Sequence, residues 1–227
     1  MKKLVLLVLL AVAACPLYAD VTLWYNGDFD GVNGLVNQGS TSPSVAYTYD
    51  DFNVSGGSWT LTGAFSNNLM SFPFADSADV EIRSGVSAFN PGTLIYGAYG
   101  VGFTQTATGN TGFGLTEYTI AVDLPNIVLG PGTYWLMVAP SSPGVSFVST
   151  TSGANCVGTP CGTGNNSFLD AVDFAAFFNP ATDYLNPADF SMGVIGTSSA
   201  VPEPSSLIML GTGLAALAGA ARRRFIA

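Results

Sequence analysis

Short runs in which apolar and polar residues alternate recur along residues 20–197, and glycine, proline or asparagine separates them. In the run SWTLTGAF, one face carries Trp59, Leu61, Gly63 and Phe65, because successive side chains of a strand point to opposite sides. Such alternation suits antiparallel strands with one buried face. The pattern therefore predicts an all-β domain over residues 20–197.

Nine of these runs are rich in β-branched and aromatic residues, and we predict each to be a strand. They are 21–26, 45–54, 58–65, 78–86, 93–103, 117–124, 133–139, 145–150 and 190–196. Short strands at this spacing favour a single β-sandwich with a jelly-roll-like arrangement. Only 167–178 tolerates a helical pattern, and we interpret it as a loop or one short helix.

Charge is distributed unevenly along the chain. Of the six basic residues, only Arg83 lies between Asp20 and Pro204, whereas all 15 acidic residues lie there. Nucleic acids and anionic lipids are bound by clusters of Lys and Arg, so the domain is not expected to bind either. Cations and neutral polymers such as polysaccharide are compatible with this surface.

Histidine is absent from the 227 residues. Its absence excludes Ser-His-Asp and Cys-His catalysis, as well as zinc sites with histidine ligands. Hydrolysis of glycans needs only two carboxylates, but no local pattern marks such a pair. We therefore expect a protein that is not an enzyme, with a two-carboxylate glycan hydrolase as the least favoured alternative.

The first 19 residues have the features of a secretory signal peptide. Lys2 and Lys3 precede an apolar run, and small residues follow before a cleavage point after Ala19. The run is short for a membrane span. An alternative is a lipobox in which Cys15 is lipidated.

Cys156 and Cys161 remain after removal of the signal peptide, within the segment CVGTPC. Two cysteines close in sequence in an exported protein are best interpreted as a disulfide. A Cys-x-x-Cys redox site has a different spacing, and a metal site would need more thiols or histidines.

An uncharged segment, 205–221, is followed by Arg222, Arg223 and Arg224. As a helix at 1.5 Å per residue it would be about 26 Å long, enough for a thin bilayer. Arginines next to a span stay in the cytoplasm. We therefore predict a membrane helix over 205–221, a cytoplasmic basic tail over 222–227, and an exterior location for everything upstream.

The linker 198–204 contains Pro202, Glu203 and Pro204 immediately before this span. The tripeptide, the span, the basic cluster and the N-terminal signal together resemble the PEP-CTERM sorting signal of exported proteins of Gram-negative bacteria. The resemblance implies that the sorting residues are the tripeptide and the three arginines. The prolines keep the tripeptide extended, which suits entry into a protease or transpeptidase groove.

Membership of this group implies export and then processing at the membrane by an exosortase, followed by release to the cell surface or the extracellular space. It also implies an association with exopolysaccharide and biofilm. The expected function is that of a non-catalytic surface or matrix protein. A lectin-like carbohydrate-binding module is the main alternative.

The segment NGDFDGVNG contains the densest polar cluster. Asn26, Asp28 and Asp30 alternate before Gly31, as in the first six positions of an EF-hand-type calcium loop. The twelfth position departs from that pattern, because Asn37 replaces the bidentate Glu. We interpret the segment first as an Asx-rich turn between strands, and second as a weak Ca²⁺ site. No other cofactor is indicated.

Two further sets of residues are candidates for function. Adjacent carboxylates at Asp50 and Asp51 are expected to be solvated at a strand edge, with one of them available to pair with Arg83. Six aromatic residues could stack on sugar rings if several shared an exposed face, although we expect most to lie in the core. They are Trp24, Tyr25, Trp59, Tyr118, Tyr134 and Trp135.

Overall fold

The structure is a computed structural model, and it describes residues 20–199 and 211–213. These residues form thirteen strands and two single-turn 3-10 helices, Val172–Phe174 and Ala181–Asp183, besides three helical residues at 211–213. The strands are β1 (Val21–Tyr25), β2 (Phe29–Val36), β3 (Tyr47–Val54), β4 (Trp59–Met70), β5 (Ser77–Ser84), β6 (Thr93–Val101), β7 (Thr104–Gly112), β8 (Leu115–Leu129), β9 (Gly132–Ser141), β10 (Ser146–Thr151), β11 (Phe168–Ala171), β12 (Ala176–Pro180) and β13 (Met192–Ser198).

Several predicted segments lie outside the described residues. These are the signal peptide 1–19, the tripeptide at 202–204, the tail 222–227, and all of the span 205–221 except 211–213. Among the residues that are described, no helix has the length and apolar character needed to cross a membrane.

The strands form two antiparallel sheets. In the first sheet, β4 pairs along one edge with β8, and β7 pairs with β8 in turn. Along its other edge, β4 pairs with β13 over 59–66 and with β10 over 68–70. Strand β13 pairs in turn with β1, and β10 pairs with β2. The second sheet has the order β12-β11-β3-β9-β5-β6.

One hydrophobic core lies between the two sheets. At its centre Phe52 of β3 stacks between two tryptophans of the first sheet, Trp24 and Trp59, with ring centroids 5.5 Å and 6.2 Å away. Leu61 of β4 and Leu136 of β9 belong to the same cluster and are fully buried. The prediction of an all-β domain is therefore confirmed, with two sheets that face each other in a sandwich-like arrangement.

All nine predicted strands are present, and four strands were missed. Neither β2 (FDGVNGLV) nor β7 (TQTATGNTG) has a regular alternation. Strand β7 is exposed along most of its length, so packing does not require apolar residues there. It lies at an edge of the first sheet, and the backbone hydrogen bonds to β8 hold it in the strand conformation.

The interpretation of 167–178 as a loop or one short helix is wrong. The segment contains β11 and the start of β12, joined by the 3-10 turn Val172–Phe174. Strand β11 pairs with both β12 and β3, and Phe178 packs on Tyr49 with ring centroids 5.1 Å apart. Pairing with β3 therefore overrides the local helical pattern.

A bulge in β4 changes which side chains face the core. Ile195 pairs with Gly63, whereas the next residue of β13 pairs with Leu61, so Thr62 is the extra residue. After the bulge Ala64 enters the core, and Phe65 lies on the outer face. The predicted common face is thus correct for Trp59 and Leu61 but wrong for Phe65.

The predicted disulfide between Cys156 and Cys161 is confirmed, with 5.5 Å between the Cα atoms. Its loop bonds to both sheets. The Tyr25 amide donates to the Val157 carbonyl at 2.9 Å in the first sheet, and the Asn53 amide of β3 donates to the Thr159 carbonyl at 2.9 Å. The loop thus joins β1 and β3 at one end of the domain.

Replacing both cysteines with serine is expected to lower the free energy of unfolding by about 2 kcal/mol, because the short loop gains freedom mainly in the unfolded chain. Urea denaturation with and without reductant measures the effect. Reductant should lower the midpoint of the native protein and leave the Cys156→Ser/Cys161→Ser variant unchanged. Equal midpoints for the oxidised native protein and the variant would show that the disulfide does not contribute.

Candidate functional site

A cleft of about 390 Å³ lies on the outer face of the first sheet. Its floor comes from β4 and β8, and its two sides come from the β1–β2 connection and from β7. Nine residues line it: Tyr25, Asp28, Phe29, Phe65, Asn67, Thr108, Asn110, Glu117 and Thr119. The volume is in the range of small-molecule sites, about 300–1,000 Å³.

The cleft exists because the first sheet curls on itself. Strands β2 and β7 lie at different edges of the sheet, yet they contact each other across its outer face. At the contact Gly112 lies so close to Phe29 that a Cβ atom there would be 3.0 Å from the ring. The absence of a side chain at Gly112 therefore allows the two edges to approach.

Glu117 is the most deeply buried acid of the cleft, with 1% of its surface exposed. Its Oε2 accepts two hydrogen bonds, from Thr108 Oγ1 at 2.7 Å and from Asn110 Nδ2 at 2.8 Å. Its Oε1 is buried and has no hydrogen-bond partner. A buried acceptor without a donor is unfavourable by about 1–3 kcal/mol.

A second polar network crosses the floor and reaches the opposite side. Thr119 Oγ1 donates to Asn67 Oδ1 at 2.7 Å, and Asn67 Nδ2 donates to the Tyr25 hydroxyl at 3.1 Å. That hydroxyl donates to Asp28 Oδ1 at 2.7 Å. Burial, together with the Asp28 carboxylate, raises the pKa of Tyr25, so the side chain stays a phenol.

The chain was compared with protein families, curated proteins and solved structures. The family model described as the PEP-CTERM protein-sorting motif matches residues 200–224. The chain carries a PEP-CTERM sorting motif. No curated protein and no solved structure matches the chain.

The PEP-CTERM motif agrees with the resemblance noted in the sequence, because 200–224 includes the tripeptide at 202–204 and the arginines at 222–224. Such a motif implies an exported precursor anchored in the membrane, and processing by the membrane enzyme exosortase. The cleft lies within 20–199, outside the residues that the motif matches.

The predicted calcium ligands have separate partners. Asn26 is buried and donates to Asp50 Oδ2 at 2.9 Å, whereas Asp28 belongs to the cleft. Asp30 Oδ1 accepts from Thr150 Oγ1 at 2.7 Å. Within 20–199 and 211–213, no group of three or more His, Cys, Asp or Glu residues is arranged to hold a metal. Calcium binding by Asn26, Asp28 and Asp30 stays a prediction.

The first interpretation of this segment, an Asx-rich turn between strands, is correct only in part. Residues 29–36 form β2 rather than a connection. The Asx-type hydrogen bond is nevertheless present, since the Val32 amide donates to Asp30 Oδ1 at 2.9 Å. This bond lies beside Gly31, whose φ is 78°.

Asp50 and Asp51 are buried, with 0% and 7% of their surfaces exposed, so the prediction of solvated aspartates is wrong. Asp50 Oδ2 accepts from the Phe190 amide at 2.7 Å, while Asp51 Oδ1 has no partner. Burial raises the pKa of Asp50, and it raises the pKa of Asp51 to about 6, with a further contribution from the Asp189 carboxylate. Neither aspartate lines the cleft.

Arg83 does not pair with either of these aspartates. Its Nε donates to Glu81 Oε2 at 2.5 Å, and its guanidinium lies over the Phe178 ring at 5.3 Å and over the Tyr49 ring at 5.9 Å. The one cation between Asp20 and Pro204 is thus held on the outer face of the second sheet, away from the cleft.

The aromatic residues of the cleft are mostly not the predicted ones. All three tryptophans are buried in the domain, with 6% exposure at most, so they do not form a surface platform. Of the six aromatic candidates only Tyr25 lines the cleft, and it is joined there by Phe29 and Phe65. Sequence alternation placed Phe65 in the core because it does not report the bulge at Thr62.

Proposed function

We propose that this protein is a non-catalytic component of the cell surface or extracellular matrix, held in or near exopolysaccharide, as in a biofilm. The observation that carries the proposal is the PEP-CTERM motif at 200–224, which implies an exported and C-terminally sorted protein. A signal peptide at 1–19 and a membrane helix at 205–221 would complete the precursor. After exosortase processing the domain would reach the surface or the extracellular space.

The charge of the domain supports a neutral polymer as its partner. Arg83, the one cation between Asp20 and Pro204, is already paired with Glu81. Acidic polymers, nucleic acids among them, would meet a surface that repels them. Polysaccharides without charge would not be repelled by this surface.

A lectin-like carbohydrate-binding module is the second candidate function, and the cleft favours it. Aromatic rings and hydrogen-bonding side chains line one concave surface there, which is the combination that sugar recognition needs. The strand order β2-β10-β4-β8 against β3-β9-β5-β6 also supports a jelly roll, an architecture found among lectin domains.

A glycan hydrolase with two carboxylates is the third candidate, and Asp28 with Glu117 would be its only pair inside the cleft. Each of these carboxylates already accepts hydrogen bonds from neutral side chains. Release of soluble sugars from matrix polysaccharide by the purified protein would contradict the non-catalytic proposal.

Replacing Glu203 with alanine is expected to block recognition by the exosortase, so that the variant keeps its C-terminal segment and stays in the membrane fraction. Intact mass and cell fractionation measure both effects. Asp183→Asn, which removes an exposed acidic group outside the motif, is the matched control and should be processed like the native protein. Identical mass and fractionation for native protein and Glu203→Ala would reject the sorting role.

A further inference from the structure

We propose that the cleft of the first sheet binds one neutral sugar residue of a polysaccharide, with Glu117 accepting a hydrogen bond from a sugar hydroxyl. The inference rests on the proposed association with polysaccharide, and it adds the site and the class of sugar. It is carried by an acceptor without a donor, by aromatic rings next to it, and by the absence of cations around it.

The Glu117 carboxylate is the first element. It is 1% exposed and lines the cleft, and two side chains of β7 occupy its Oε2. Because Oε1 has no donor among the described residues, the carboxylate can accept one more hydrogen bond. A hydroxyl group donates to a carboxylate through a short, charge-assisted bond. Glu117 is therefore the polar anchor of the site.

The aromatic side chains are the second element. Phe29 lines the cleft beside Asp28, while Phe65 lies on the floor two residues before Asn67. The rings of Tyr25 and Phe65 are 5.5 Å apart and are inclined by 44° to each other. Aromatic surface is suited to the C–H face of a sugar ring, whereas a bare metal ion needs oxygen ligands rather than rings. Rings and acids together favour a sugar over a cation.

Charge decides the class of sugar. Asp28 and Glu117 are acidic, and no Lys, Arg or His is among the residues that line the cleft. A uronic acid, a sulfate or a phosphate would bring a second negative charge to two carboxylates in a partly desolvated site. The cleft should therefore accept hexoses without charge and reject acidic sugars.

Calorimetry on the full-length protein tests the proposal, with neutral glucan, galactan and mannan oligosaccharides, oligogalacturonate of the same length, and CaCl₂ as separate probes. At least one neutral series should bind, and oligogalacturonate should bind at least roughly tenfold more weakly. Glu117→Gln should weaken neutral binding by roughly 10- to 100-fold, as expected for the loss of a charged hydrogen-bond partner. It should also reduce the discrimination against oligogalacturonate, which a purely structural role of Glu117 would not do.

One control variant and one further cleft variant complete the test. Asp123→Asn removes the same charge from β8 at an exposed position outside the cleft, and it should bind like the native protein. Asp28→Asn changes the other side of the cleft at a half-buried position and should also favour oligogalacturonate relative to the native protein. Thermal unfolding of each variant shows whether it is folded.

Several outcomes would overturn the proposal. These are no binding of any neutral series, equal binding of oligogalacturonate, unchanged binding by folded Glu117→Gln, and Ca²⁺ binding that Glu117→Gln abolishes. Intact mass and fractionation of the same preparations test export and sorting separately. A correctly sorted protein that binds no neutral sugar would refute the site and leave the sorting role intact.

Discussion

Replacing Phe52 with alanine is expected to lower the free energy of unfolding by about 3–5 kcal/mol, the range for truncation of a large aromatic side chain in a core. Phe52 is fully buried and stacks between Trp24 and Trp59, with interplanar angles of 27° and 10°. Its ring also lies 5.7 Å from that of Tyr134. The truncation would thus remove contacts with both sheets at once and leave a cavity between them.

Urea denaturation followed by tryptophan fluorescence measures this effect, because Trp24 and Trp59 are the direct neighbours of the ring. Phe177→Ala is the matched control, since Phe177 is 54% exposed and its truncation should change stability by no more than about 0.5 kcal/mol. A loss below about 1 kcal/mol for Phe52→Ala would contradict the assignment of this stack to a shared core.

Replacing Asp51 with asparagine is expected to stabilise the domain at pH 7.5 by about 1–3 kcal/mol. At that pH the native Asp51 is ionised although it is buried, has an unpartnered Oδ1, and lies near the Asp189 carboxylate. Asparagine has nearly the same shape without the charge. The substitution should therefore remove an unfavourable charge from the folded state.

The pH dependence follows from the direction of the same shift. Burial raises the pKa of Asp51 from 3.8 to about 6, so the folded protein binds its proton more tightly than the unfolded chain does. The contribution of Asp51 to the free energy of unfolding is fully present below about pH 4 and is lost as the pH rises through about 6. Burial also raises the pKa values of Asp50 and Asp189, which adds to the loss in the same direction.

Thermal unfolding of the full-length protein between pH 4 and pH 8 measures both expectations. The native melting temperature should fall as the pH rises, and Asp51→Asn should make this fall smaller. Asp183→Asn makes the same change of net charge at an exposed position, and should leave the pH profile close to native. Parallel profiles for native protein and Asp51→Asn would contradict a perturbed Asp51.

Much of the candidate site was not predictable from the sequence. Glu117 and Asn67 are 50 positions apart and meet only because β4 and β8 pair, with Asn67 opposite Thr119 in the register. Phe65 reaches the cleft through the bulge at Thr62. The close approach of Gly112 to Phe29 depends on the contact between β2 and β7. Each depends on pairing between distant segments, which local alternation does not report.

The sequence by itself determined the class of the domain, the disulfide and the sorting motif. These depend on local features: alternation and β-forming residues in the nine predicted strands, two cysteines five positions apart, and a short motif at 200–224. Only the tertiary structure decided that Asp50 and Asp51 are buried and that Asp28 and Glu117 share a cleft. The reason is physical, because burial and proximity arise from how the sheets pair, curl and pack on each other, and a side chain's neighbours in the sequence do not specify those contacts.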